Sequence, residues 1–236
     1  MVNLVKKREV FKKMNNNHEL NENEVKNEKI SNNIANELEL DNEKKSVVNY
    51  GIFAFIQMSI SIIFVFIFGI IFNVATEALI ITFTISILRK SSGGVHASTP
   101  SICTIIGTIV GVGFALLIKL IEFNLIFVII LGLVVFIWSY ITINKLAPVD
   151  SLAKPIKSEA KRSRLKKKSL RILMIYGIIV ILNITIYRYI NKYYLLIYSL
   201  CIYIGLAWQV FSLTDIGNTV LSKIDSYLSL ILFKRR

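Results

Sequence analysis

The chain is short of the residues that most often carry catalysis or cross-linking. Among 236 residues there are two cysteines and two histidines. Two cysteines without a secretory context argue against a disulfide framework. There is no aromatic-basic stripe and no nucleic-acid motif, so nucleic acid is not an expected partner. No motif asks for a metal or another cofactor. A cleavable signal peptide is not expected, because residues 1–45 are polar and charged. Acidic residues are scarce beside basic ones, 15 against 28, which leaves a formal charge of +13.

Apolar residues are abundant. They make up 54% of the chain, and the mean hydropathy of +0.61 is too high for an ordinary soluble domain. Several runs reach the roughly 20 residues that cross a bilayer. The expectation is an all-α, polytopic membrane helical bundle of about six transmembrane segments. The spans fall at 48–74, 75–88, 102–120, 125–143, 172–190 and 193–213. The second is short: about 14 residues cover roughly 21 Å of a roughly 30 Å core, so it tilts or re-enters. Crossing is favoured. Residues 1–47 form a polar N-terminal region with amphipathic character. Ile30, Ile34 and Leu38 recur every fourth residue there, a helical period. Residues 214–236 form a C-terminal tail. Gly107, Gly111 and Gly113 give the third span a small-residue face for close helix contact. Tyr193, Tyr194 and Tyr198 suit an interfacial belt.

One polar stretch stands out between spans: LRKSSGGVHASTPSIC, residues 88–103. It holds His96 and Cys103, half of the chain's histidine and half of its cysteine. Arg89, Lys90, Gly93 and Gly94 lie just upstream. Thr99-Pro100 is a helix start, with Thr as the cap and Pro where no N–H is needed. Cys103 then falls near the fourth helical position, where the positive end of the helix favours a thiolate. An imidazole seven residues away supplies a candidate base. The plain alternatives are a Cys that packs as a small hydrophobe and a solvated His. Gly93 and Gly94 read as loop geometry, or as backbone N–H donors for an oxyanion. Cys201 reads as packing. Glu77 falls at the other end of its span from His96. Ser98, Thr99 and Ser101 are candidate caps.

Residues 144–171, NKLAPVDSLAKPIKSEAKRSRLKKKSLR, read as a basic loop that includes Lys166, Lys167 and Lys168. With the N-terminus in the cytoplasm, six spans place this loop, the His96 segment and the C-terminal tail on the cytoplasmic side of the cell membrane. Only Lys119, Arg188 and Lys192 then lie near the outer connections, as the positive-inside rule expects. A cytoplasmic thiol stays reduced.

The 88–103 string resembles the signature of the AgrB family, the accessory gene regulator B proteins of Gram-positive bacteria: Leu-Arg, Gly-Gly-x-His, and a Cys seven residues after the His. The resemblance extends beyond the first 25 or so residues, through ISNNIANELELDNEKKSVVNYG, the basic loop and LAWQVFSLTDIGN. Leu152-Ala153 departs from relatives that carry Pro or Asn before Lys-Pro-Ile. The resemblance implies a membrane-embedded cysteine endopeptidase acting on an AgrD-like propeptide. It implies cleavage through an acyl-enzyme thioester and cyclisation to a thiolactone or lactone quorum-sensing peptide, by a homodimer. It makes Cys103 the nucleophile and His96 the base, with Arg89 and Gly94 needed for activity. Lys90 and Lys166 to Lys168 are candidate contacts for an acidic precursor tail; their plain reading is anchoring to anionic membrane lipid. The competing class is a transporter or a non-proteolytic peptide-binding scaffold. The span interiors offer it little beyond Ser, Thr and Asn183.

Overall fold

Seven helices account for nearly all of the described residues in the computed structural model, which describes residues 42–94, 99–149 and 158–233, with side chains from residue 55 to 231 except at 100. The expected 30–38 helix, His96, Ser98 and the Leu152-Ala153 pair lie outside the described residues. The helices are α1 (Asn42–Ile71), α2 (Ala75–Ser92), α3 (Pro100–Lys119), α4 (Leu125–Leu146), α5 (Glu159–Ile190), α6 (Tyr194–Phe211) and α7 (Asp215–Phe233). Contacts divide the chain into two units, Met1–Ser59 and Ile60–Arg236. The first is represented by the leading part of α1; the bundle belongs to the second.

Among the described residues, four helices are long and apolar enough to cross a membrane: those over Ser101–Lys119, Leu125–Leu146, Glu159–Ile190 and Tyr194–Phe211. The apolar stretch of α1, Phe55–Ile71, is shorter. The α2 helix is 18 residues long and carries Glu77 in its first turn and Arg89 and Lys90 in its last. These account for about six membrane segments, with α2 the least apolar. The bundle is centred on α6, which buries Leu196, Leu200, Cys201, Tyr203, Leu206 and Val210. It meets α2 most extensively, through Ala78, Ile81 and Leu88. Cys201 is fully buried in this core, as packing requires.

Some hydroxyl groups inside the bundle are satisfied locally, although Thr82 Oγ1 and Ser139 Oγ are sealed with no partner among the described residues. Thr84 Oγ1 donates to the Ile80 carbonyl (2.7 Å), and Ser199 Oγ to that of Leu195 (3.0 Å), each one turn back. In an apolar surrounding such back-bonding avoids an unmet donor. Small residues let the helices close. A Cβ on Gly205 would come within 2.8 Å of Thr84 Cβ and Cγ2, and one on Gly111 within 2.7 Å of Thr82 Oγ1. Gly113 faces open space and takes no part in the expected contact face.

Both ends of the bundle are tied. At one end Lys119 Nζ donates to the Asn73 carbonyl (2.5 Å), and the Phe123 N–H to Tyr193 Oη (2.7 Å). The expected belt tyrosine thus also pins the α3–α4 connection. The sequence reading needs one correction. Residues 144–171 are not a loop throughout: α4 runs to Leu146, and α5 begins at Glu159 and continues without a break to Ile190. The reason is composition, since EAKRSRLKKKSLR is made mostly of good helix formers with an acid in the first turn.

Two substitutions separate close packing from mere composition. Gly205→Ala should destabilise the protein by about 1–3 kcal/mol through overpacking against Thr84. Gly113→Ala should be neutral or slightly stabilising, because Ala is the better helix former. Thermal melting of the purified protein in detergent reads both; equal melting points would contradict this packing.

Candidate functional site

At the opposite end of the bundle from Tyr193, α2 stops and α3 starts. Thr99 caps α3 as the sequence suggests. It is extended (φ −128°, ψ 152°), and its Oγ1 accepts from the Ile102 N–H at 3.4 Å. Pro100 follows in the first turn, and the Cys103 N–H donates to the Thr99 carbonyl (3.1 Å). Cys103 therefore sits at the start of a 20-residue helix, half-buried, beside the fully buried Ile102. Its position exposes it to the positive end of the α3 dipole.

Arg89 adds a full charge. It lies past the apolar run that ends at Leu88, in the last turn of α2. Its Nε is sealed from solvent and has no hydrogen-bond partner among the described residues. Burial pushes the pKa of the guanidinium down, and the negative charge of Cys103 opposes that by favouring the charged form. A guanidinium cannot shed its proton in practice, so a desolvated Arg next to a thiol places positive potential on the sulfur. Lys90, by contrast, is exposed.

The Gly-Gly pair is more than a flexible joint. Gly93 has φ +73° and Gly94 φ +125°, both costly for a side chain. The Gly93 N–H donates to the Arg89 carbonyl (2.9 Å) and closes α2. That bond occupies the Gly93 N–H. Three segments hold the turn. The Val149 N–H donates to the Ser92 carbonyl (2.9 Å), and Arg162 Nη1 on α5 to the Pro148 carbonyl (3.2 Å). From α6, Gln209 Nε2 donates to the Gly93 carbonyl (2.8 Å) and to Ser92 Oγ (3.1 Å). Sequence reasoning missed Gln209. The available signal was a lone carboxamide in the apolar run YLLIYSLCIYIGLAWQVF.

These bonds bring the ends of α2, α4 and α6 and the starts of α3 and α5 to one end of the bundle. The basic turns of α5 accordingly share an end with Cys103. The three consecutive lysines do not act as one face: Lys167 and Lys168 are exposed, whereas Lys166 is half-buried. Lys167 and Lys168 join Arg164 and Arg171 along a groove of about 780 Å³ that Ile172 and Ile175 also line.

The fold and this end of it define a class: a polytopic helical membrane protein with a thiol at a helix start, electrostatically linked to a half-buried arginine. The chain belongs to the accessory gene regulator B family, whose profile matches residues 27–213. It is similar to two AgrB-like proteins of Clostridium perfringens, from strains SM101 and 13. Each is 44% identical over 206 residues, covering 86% of this chain and 96% of the relative. No solved structure matches the chain.

The Arg89–Cys103 pairing predicts a difference in thiol reactivity. Arg89→Gln should slow alkylation of Cys103 by iodoacetamide several-fold at neutral pH, because the positive charge near the sulfur is lost. Arg89→Lys should fall between the two. Rates measured in a Cys201→Ala background isolate the relevant sulfur, and identical rates for all three proteins would dismiss the electrostatic link.

Proposed function

We propose that this protein is a membrane-embedded cysteine endopeptidase that trims an AgrD-like propeptide and promotes its cyclisation. The observation that carries the reading is Cys103 at the start of α3, electrostatically linked to the half-buried Arg89, in a member of the accessory gene regulator B family. The family supports a peptide partner of the AgrD type and a role in its processing.

In this reading His96 takes the Cys103 thiol proton. The thiolate attacks the carbonyl carbon of one precursor peptide bond, and a tetrahedral oxyanion forms. The C–N bond then breaks. His96 returns the proton to the departing amine, the C-terminal tail leaves, and the core remains as a thioester on Cys103. A thiol or hydroxyl of the same precursor attacks the thioester and closes the ring, and Cys103 recovers its proton. Exchange of one thioester for another is nearly isoenergetic, so the site must hold the two sulfurs together and keep water away. An end of a bundle walled by apolar helices suits that demand. His96 follows the Gly93-Gly94 turn by two residues in the sequence.

Arg89 holds the sulfur in its reactive state, and Gly93 and Gly94 shape the turn. Arg164, Lys167, Lys168 and Arg171, with Lys90 and Lys166, attract the acidic tail of the precursor. The positive-inside rule puts this end of the bundle, and both termini, in the cytoplasm, where the precursor is made. The protein acts as a homodimer in contact with membrane lipid, by analogy with its family.

Co-expression with the short propeptide encoded nearest this gene tests the chemistry. Wild type should yield a released C-terminal tail and a cyclised core by mass spectrometry, and Cys103→Ala and His96→Ala should yield neither. Normal processing by Cys103→Ala would remove the nucleophile assignment. Changing Lys166, Lys167 and Lys168 together to Glu should reduce tail release at low salt; unchanged processing would rule out these residues as a docking site for the tail.

A further inference from the structure

Gln209 is a fully buried carboxamide near the end of the apolar helix α6. An aliphatic side chain of the same size would pack there without an unmet polar atom, whereas Gln209 Oε1 is sealed and has no partner among the described residues. What the carboxamide supplies is direction. Its Nε2 reaches the Gly93 carbonyl at 2.8 Å and Ser92 Oγ at 3.1 Å, using both N–H bonds on one short stretch of chain. That stretch is where α2 ends. Beyond it a positive φ turns the chain away, and the terminal carbonyls have no partner within the helix. The next residue is held against the same surface. A Cβ on Gly94 would lie 2.8 Å from Ser212 Oγ and 3.3 Å from Gln209 Nε2. Ser212 in turn donates its Oγ–H to the Gln209 carbonyl at 2.7 Å, which fixes the end of α6.

We propose that Gln209 is a positioning residue for the thiol site: by gripping the Gly93 carbonyl, it fixes the turn that ends α2, which in the sequence directly precedes the stretch holding His96 and Cys103. This inference rests on the reading of those two residues as the reacting pair. The carboxamide touches no reacting atom, so its loss should affect the geometry of attack and leave substrate capture intact. Misplacing a catalytic group by about 1 Å is enough to slow a reaction about a hundredfold.

The experiment uses the full chain in detergent or liposomes with the synthetic propeptide, and follows tail release under steady-state conditions. Gln209→Met keeps the volume and removes the donor. It should lower kcat by about 10- to 100-fold, with KM within about twofold of wild type and a melting point close to it. Ser92→Ala leaves the Gly93 bond in place and should lose far less. Combined with Gln209→Met it should add nothing, because the two share one interaction. A kcat for Gln209→Met within about twofold of wild type, or a loss confined to KM, overturns the proposal. If Gln209→Met melts well below wild type, Gln209→Asn, polar but too short to reach both acceptors, is judged by the same criteria. Cys103→Ala in the same assay separates the two levels. Tail release that survives it overturns the peptidase reading itself. Loss there, beside an unimpaired Gln209→Met, overturns only the positioning role.

Discussion

The hydrogen bonds at Ser92 and Gly93 are the constraint on which the site end of this molecule depends. A helix surrounded by apolar side chains and lipid has nowhere to leave its final carbonyls except on another part of the protein. Here they meet the Val149 N–H and the Gln209 carboxamide. Once those bonds form, the end of α2 is locked to the end of α6 and to the segment that follows α4. The start of α3, and Cys103 with it, lies only a few residues further along the chain. Without that junction Arg89 and Cys103 would be two polar groups on separate helix ends, with nothing to fix their relation.

The broad architecture could be read from the sequence because its causes are local. Apolar runs of bilayer length announce helices, and Thr99-Pro100 announces the start of α3 by a mechanism that needs no tertiary partner. The structure bears out that cap, the buried and inert Cys201, and Gly111 as a point of close contact. The notion that 144–171 was loop throughout failed for a definable reason. Lysine and arginine density does not mean irregular backbone: these residues are good helix formers, and the apolar run behind them supplies a ready template for the preceding turns.

The candidate site was legible only in part. Cys103, the proposed nucleophile, and Arg89 both fall in the 88–103 string, where the scarcity of cysteine marks the first of them. Gln209 lies 116 residues from the Gly93 carbonyl it holds, so no local pattern links the two. Gly93 likewise could be seen to need a positive φ, but which of its backbone groups was free depended on where α2 ended. Long-range polar partners of this kind are decided by how the helices are arranged, and sequence periodicity carries little of that information.

The unbroken course of α5 has a bearing on how charge is displayed. Its 32 residues make a rod about 48 Å long, against a hydrocarbon layer of about 30 Å. Roughly a third of the rod must stand clear of the bilayer, and that third carries Arg164, Lys167, Lys168 and Arg171 on one side. A flexible basic loop would draw anions from every direction at an undefined height. A mast rooted in the bundle holds its cations at a set elevation and bearing. An anionic visitor is therefore met at one place, and the rotation of the buried part of the rod decides where that place is.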